Sequence, residues 1–424
     1  MSIAARDLAP EPGMPRCLSC SSPLTHTFVD LGLQPLANSY VPPERAHEPE
    51  PRFPLHARVC DNCLLVQVDA VQAPENIFVD YAYFSSYSES WLKHCSDYAD
   101  AMTDRFRLGT HSRVVEIGSN DGYLLQYFVA KGMRVLGIEP AANVAQAAIE
   151  RGVPTDIAFF GVDTARRLAE SGWSADLLAA KNVLAHVPDI NDFVAGIRLI
   201  LKPDGVFTVE FPHLLNLIRE VQFDTIYHEH FTYLSVIALK PIFERHGLTI
   251  FDVEKQDTHG GSLRLFVVRT ESDRQVSDRV REIPAEERAA QLDRPAGYDG
   301  FEPKVQAIRS DVRAFLATAK AEGKKVIAYG AAAKGNTLLN YCGASADDIE
   351  FVVDRNPEKQ GRLLPGSHIP VRSVEALVEA RPDYVFILPW NLRDEIMSQL
   401  PEVAAWGGQF VTAIPQVQIH SGAH

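Results

Sequence analysis

The stretch that most constrains the fold is Val114 to Gly122, VVEIGSNDG. An apolar pair, Val114-Val115, leads through Glu116 into a loop holding Gly118 and Gly122, and a helical apolar pattern follows from Leu124 to Val129. Strand, glycine loop and helix in that order open a doubly wound α/β sheet, with helices on both faces of mostly parallel strands. Glycine accepts left-handed backbone and lets N–H groups approach a ligand that any Cβ holds away. The next strand, Met133 to Glu139, ends on an acid 21 positions after Gly118 (139 minus 118). A carboxylate at that strand end accepts ribose hydroxyls.

The loop departs from the dinucleotide pattern. It reads G-x-x-x-G, not G-x-G-x-x-G, and Glu116 and Asp121 flank it where a pyrophosphate wants no acid. That pattern suits a cationic, phosphate-free adenosine ligand, S-adenosylmethionine. Glu116, Gly118, Asn120, Asp121 and Glu139 are its candidate residues. The alternative is an ordinary tight turn with no ligand.

Six cysteines fall at Cys17, Cys20, Cys60, Cys63, Cys95 and Cys342. The first four make two C-x-x-C pairs. In a reducing compartment that spacing reads as zinc rather than disulfides. Four thiolates close the coordination sphere, so the site is expected to be structural. Cys95 and Cys342 are expected to be core thiols. The formal charge is 41 minus 55, or −14, which disfavours broad nucleic-acid or anionic-membrane binding. No apolar run reaches the ~20 residues of a membrane span. The start lacks the apolar segment of a signal peptide, so a cytoplasmic protein is expected. A monomer is expected for want of an obvious dimer helix.

The 424 residues suggest two or three domains. Residues 1–15 read as a leader, 16–72 as a zinc module stapled by its metal, and 73–270 as the cofactor domain with an N-terminal lid segment. That segment, Tyr81-Ala82-Tyr83-Phe84-Ser85-Ser86-Tyr87, is either a junction or a ligand-lining lid, since aromatic faces with hydroxyl tips suit nucleoside or sugar contacts. A helix is expected from Trp91 to Phe106. Strands are expected near 113–118, 134–139, 153–157, 176–181, 205–211, 249–255 and 262–269. Residues 271–300 read as a helical, solvent-facing connector. A long helix over 302–322 opens a C-terminal Rossmann-like domain, 301–416, with strands at 325–330, 349–354 and 383–388. Its small-residue turn, Gly330 to Thr337, offers helix N–H groups and Lys334 to a pyrophosphate. Lys334 and Asn336 are therefore candidate substrate residues, the alternative being helix–sheet packing.

Chemistry concentrates after the fifth strand, in Asp224-Thr225-Ile226-Tyr227-His228-Glu229-His230. A C-methylation needs a base to form a carbanion, an electron sink and a methyl donor. Histidine titrates near neutrality and suits proton abstraction alpha to a carbonyl, with a neighbouring tyrosine donating to the enolate oxygen. The alternative is a polar turn around one satisfied histidine.

Together, CLSC, CDNC, EIGSNDGYLL, NVLAHVPD, IYHEHFTYLS, GAAAKGNTLLNYCG and VDRNPEKQGRLLPG resemble the sugar C-methyltransferase family of deoxysugar biosynthesis, the TDP-deoxysugar C3-methyltransferases. The resemblance implies an N-terminal zinc module, a central S-adenosylmethionine domain and a C-terminal Rossmann-like domain. It implies methylation at C3 of a nucleotide-linked 4-keto-6-deoxysugar. By position it makes His230 the base, with Tyr227 and Glu229 beside it, Glu229 orienting His230 or holding substrate. Asn182, assigned to the cofactor, and His186, assigned to the substrate, match the segment after the fourth strand. Tyr87 matches the lid and is carried as a substrate contact. An O- or N-methyltransferase and a non-enzymatic zinc and nucleotide scaffold are the rival readings.

Overall fold

The computed structural model describes residues 14–69 and 84–421. The expected leader, apart from its last two positions, and the Tyr81–Tyr83 part of the lid lie outside them. The described strands are β1 (His26–Gln34), β2 (Phe53–Val59), β3 (Val66–Val68), β4 (Arg113–Ile117), β5 (Arg134–Ile138), β6 (Thr155–Asp156), β7 (Ala175–Lys181), β8 (Leu201–Pro212), β9 (Thr232–Tyr233), β10 (Leu248–Gln256), β11 (Ser262–Arg269), β12 (Val326–Tyr329), β13 (Val352–Val353), β14 (Val371–Arg372), β15 (Tyr384–Ile387), β16 (Gln409–Thr412) and β17 (Gln418–Ser421).

They form three sheets. The central one has the order β10-β11-β8-β7-β4-β5-β6, with β8, β7, β4, β5 and β6 parallel and β10 and β11 antiparallel at one edge. This is the doubly wound sheet closed by a late antiparallel pair. Its inner strands are apolar on both faces, with Val114, Val115, Leu177 and Leu178 wholly buried, as strands covered by helices on either side require. The C-terminal sheet, β14-β13-β12-β15-β16-β17, is parallel except for β17. The N-terminal sheet is β1-β2-β3-β9, and β9 comes from the central part of the chain. One buried cluster runs from Phe28 and Val59 through Phe223 and Ile226 to Leu338 and Phe386, so all three parts share a core.

The connector is helical and mostly exposed, with a few buried exceptions. Its helix, Arg279–Ala289, buries Ile283, Pro284 and Glu287. Glu287 accepts from His213 at 2.8 Å and from the amides of Val236 and Ile237, both at 2.8 Å. Charge along the sequence suggested a solvated face, but this acid caps the neighbouring Val236–Arg245 helix, whose first amides have no intrahelical partner.

Each C-x-x-C folds as the same turn. The residue after the second cysteine is left-handed, Ser21 at φ 61° and Leu64 at φ 63°, and its amide returns to the carbonyl of Cys17 or Cys60 at 2.9 Å. Arg245 and the Asn191 amide hold the Ser19 carbonyl at 2.8 and 3.0 Å, fixing the first turn to the central part.

Candidate active site

The four cysteine sulfurs lie within 4.8 Å of one another, with Cys17–Cys63 at 3.4 Å and Cys20–Cys60 at 3.5 Å. Tetrahedral zinc with Zn–S near 2.3 Å needs sulfur separations of about 3.8 Å, so the thiolates fit the metal. All four positions are filled by sulfur. Among the described residues this is the one cluster of metal-binding side chains. His228, Glu229 and His230 do not converge.

The cofactor loop lies at the carboxyl end of β4. Gly118 and Gly122 have φ of 67° and 79°. A Cβ on Gly118 would meet Val183 Cγ2 at 2.4 Å, and one on Gly122 would meet Val153 Cγ2 at 2.9 Å. Backbone shape and protein neighbours thus already require glycine at both positions. Glu139 accepts from Asn120 N at 3.0 Å and Ala141 N at 2.9 Å. Both oxygens are thereby fixed and retain lone pairs for ribose hydroxyls. Asn120 accepts from the Ser85 amide at 2.9 Å, tying the loop to the segment before the Glu89–Phe106 helix. Asp121 is neutralised by Arg151 at 2.8 Å. Glu116 is wholly buried, and neither oxygen meets hydrogen-bond geometry with a protein group, although the Tyr123 hydroxyl sits beside it. Burial, then the charges of Glu139 and Asp121, push its pKa well above the ordinary range. A buried acid at the base of the loop, with no cation paired to it among the described residues, fits a cationic ligand.

The Asp224–His230 segment leads into Phe231, whose amide donates to the Ala185 carbonyl in the turn after β7 at 2.7 Å. That turn packs on Gly118 of the cofactor loop through Val183, and Trp390 of the C-terminal part donates to Asp224 at 2.8 Å. His230 Nδ1 lies 3.0 Å from the Thr225 carbonyl, so Nδ1 carries the proton. Nε2 therefore accepts, from the Tyr227 hydroxyl at 2.7 Å. The outcome is a Tyr227–His230 dyad with its imidazole held by backbone. Burial, then His186, push the His230 pKa well below its ordinary value, so the ring is neutral. His186 bonds the Glu229 carbonyl at 2.6 Å and meets the His230 ring edge-on at 4.6 Å. Burial brings its pKa to about 4.

Glu229 does not orient His230. Its carboxylate is buried and accepts from Asn38 of the zinc module at 3.3 Å, and burial pushes its pKa up. His228 bonds the Pro54 carbonyl at 3.2 Å, so it too docks the zinc module. Asn336 donates instead to the Ala37 carbonyl at 2.6 Å. Tyr87 is 58% exposed. Lys334 donates to Asn391 at 2.7 Å with its ammonium 4.8 Å from the Trp390 ring centre, close enough to act on the charge of His230. Asn182 is left-handed, φ 55°, and lies 3.5 Å from His259 Nε2.

Sequence reasoning passed over His259. Its signal was a histidine before paired glycines, T-H-G-G, between two strands. It also passed over a buried charge row. Lys181, Glu210 and Arg264 are register neighbours on β7, β8 and β11. Glu210 pairs with Lys181, with Arg264 at 2.7 Å and with His94 at 2.8 Å.

Known proteins share these parts. Residues 91–253 match the "Methyltransferase domain" family and 257–415 the "C-methyltransferase C-terminal domain" family. Residues 17–78 match a "Putative zinc binding domain". Fold and site thus define an S-adenosylmethionine-dependent methyltransferase with a structural zinc site. The C-methyltransferase NovU of Streptomyces niveus is 37% identical over 405 residues, 96% of this chain and 96% of the relative. The chain belongs to this C-methyltransferase family. A ubiquinone biosynthesis O-methyltransferase of Chelativorans sp. (strain BNC1) is 33% identical over 101 residues, 23% of this chain and 39% of the relative. Among solved structures, the PH0226 protein from Pyrococcus horikoshii OT3 has a TM-score of 0.36 and 14% identity, covering 46% of this chain and 97% of that one.

Proposed function

We propose that the enzyme adds a methyl group to C3 of a nucleotide-linked 4-keto-6-deoxysugar, TDP being the expected carrier. The observation that carries this reading is the Tyr227–His230 dyad, a neutral base fixed by the Thr225 carbonyl and packed on His186 of the turn after β7. O-methylation needs only a hydroxyl to be deprotonated. C-methylation needs a carbon acid, and a positioned base that stays neutral in mildly acidic solution serves that step. The resemblance of the IYHEHFTYLS segment to sugar C3-methyltransferases supplies the sugar and the position.

Bound S-adenosylmethionine supplies an electrophilic methyl group. The chain's residues do the rest. Glu139 holds the ribose, and Glu116 faces positive charge. The C3 proton goes to the Tyr227 oxygen as the Tyr227 proton moves onto His230 Nε2. The C–H electron pair becomes the C3–C4 double bond, and the carbonyl electrons move onto the C4 oxygen. His186 holds the base from one side, and exposed Tyr87 is free to meet the substrate.

The test is exchange of the C3 proton of a TDP-4-keto-6-deoxyhexose in deuterated water, with enzyme and without methyl donor. Wild type should exchange it. His230→Ala and Tyr227→Phe should slow exchange by roughly 10²–10⁴-fold while S-adenosylmethionine still binds. Ordinary exchange rates in both variants would remove the base assignment.

A further inference from the structure

Lys181 and Lys334 both reach inward, and they differ. Lys181 is paired with Glu210 on the adjacent strand. Lys334 forms no ion pair within 4.0 Å among the described residues; its bond goes to the neutral amide of Asn391. Asp224 is the acid that acts on it, but that carboxylate accepts from the Trp390 indole at 2.8 Å and stays beyond salt-bridge distance. An enclosed cation without an anion is costly. Here the cost is tolerated beside the base. Thr337, one turn along the Ala333–Cys342 helix and on the same face, donates to the Ile226 carbonyl at 3.0 Å. The helix is thereby pinned to the residue before Tyr227.

A second group comes to the same place under strain. His259 has φ 57°, and Gly260 and Gly261 follow at 83° and 102°. A Cβ on Gly260 would meet the Trp390 ring at 2.4 Å, and one on Gly261 would meet Asn216 at 2.3 Å. The turn is thus wedged against the indole that carries Lys334. A left-handed histidine is retained where surrounding structure over-determines it, commonly at functional sites. Its Nδ1 is buried with no partner among the described residues. Nε2 lies 3.5 Å from the Asn182 amide nitrogen, and in the tautomer that accepts there Nδ1 carries a proton free to be donated to a ligand. Burial, then Lys334, bring this histidine's pKa to about 4.

We propose that Lys334 and His259 form the oxyanion site of the reaction, holding the C4 oxygen as negative charge develops there, so that the catalytic centre is completed by the C-terminal part of the chain. This rests on the function proposed above. It reassigns Lys334 from the pyrophosphate expected of its turn. A pyrophosphate brings about two charges and calls for several donors, whereas Lys334 is a single enclosed cation facing the base. Charge balance is met when the C3–H electron pair moves toward C4 and the oxygen becomes anionic against the ammonium.

The experiment compares wild type with Lys334→Met, Lys334→Arg and His259→Phe, using a TDP-4-keto-6-deoxyhexose. Exchange of the C3 proton is followed without methyl donor, and kcat and KM with it. Lys334→Met should lose roughly 10²–10³-fold in exchange and in kcat, with KM changed little and S-adenosylmethionine affinity unchanged. Lys334→Arg should recover part of the loss, and His259→Phe should lose about tenfold or more. A Lys334→Met enzyme with normal kcat and raised KM would make Lys334 a ground-state phosphate contact and overturn the proposal. So would normal exchange. If wild type exchanges no proton, the proposed function falls, and this proposal with it. The two failures are therefore distinguishable.

Discussion

Replacing Glu210 by Gln should damage the fold more than removing the charge of Lys334. Glu210 is 2% exposed and is the shared anion for Lys181, Arg264 and His94. Burial alone would raise its pKa, but Lys181 first, then His94 and Arg264, hold it well below the carboxylate range. The amide leaves Lys181 without a carboxylate and Arg264 with only Glu254 at 3.2 Å. Breaking a buried pair by removing one partner costs about 3–5 kcal/mol. At about 2–4 °C per kcal/mol for a unit of this size, the melting temperature should fall by roughly 6–20 °C. Lys334→Met removes an unpaired cation whose pKa burial already depresses, so its melting temperature should hold or rise. Scanning calorimetry of both variants with zinc bound reads the contrast. The pH dependence checks the sign. A depressed carboxyl stabilises above its unfolded value, near 4.3, and that gain is lost as pH falls through the folded value. The gap between wild type and Glu210→Gln should therefore shrink in acid. A fall for Lys334→Met as large as that for Glu210→Gln would refute the reasoning, because Lys334 would then be a structural cation.

Removing zinc with a chelator, or replacing Cys60 by Ser, should lower the metal content from one ion per chain and loosen the N-terminal sheet. Metal analysis and hydrogen exchange over β1–β3 would show it, and full protection without metal would contradict it. Glu116→Gln should weaken S-adenosylmethionine more than S-adenosylhomocysteine, because only the former carries the sulfonium charge; equal losses by calorimetry would count against the assignment. The acid limb for C3-proton exchange should lie below pH 6.5, because His230 is pushed down and protonates only in more acid solution. A limb at or above 6.5 would mean that another group is the base.

Period and punctuation carried much of this architecture. The apolar run at Val114-Val115, the glycines after it and Glu139 at the next strand end placed the central sheet, because buried parallel strands must be apolar on both faces. The paired C-x-x-C turns were legible because cysteine spacing is local chemistry. Glu287 was misread as solvated, since nothing local shows that three donors from elsewhere converge on it. Glu229 and Asn336 sat in informative motifs, yet both side chains turn to the zinc module, at Asn38 and Ala37. His259 became visible only when β10 and β11 brought its turn against Trp390, a contact between residues 130 positions apart (390 minus 260). Local pattern shows which residues carry chemistry, and tertiary packing decides where they point.

The chemical position of the transferred methyl group tests the account most directly. The enzyme would be given S-adenosylmethionine labelled with ¹³C in the methyl group and a TDP-4-keto-6-deoxyhexose, and the product examined by carbon NMR. A label bonded to C3, beside the ketone carbon, is the predicted result. A label on oxygen or nitrogen, with C3 still bearing its proton, would contradict it.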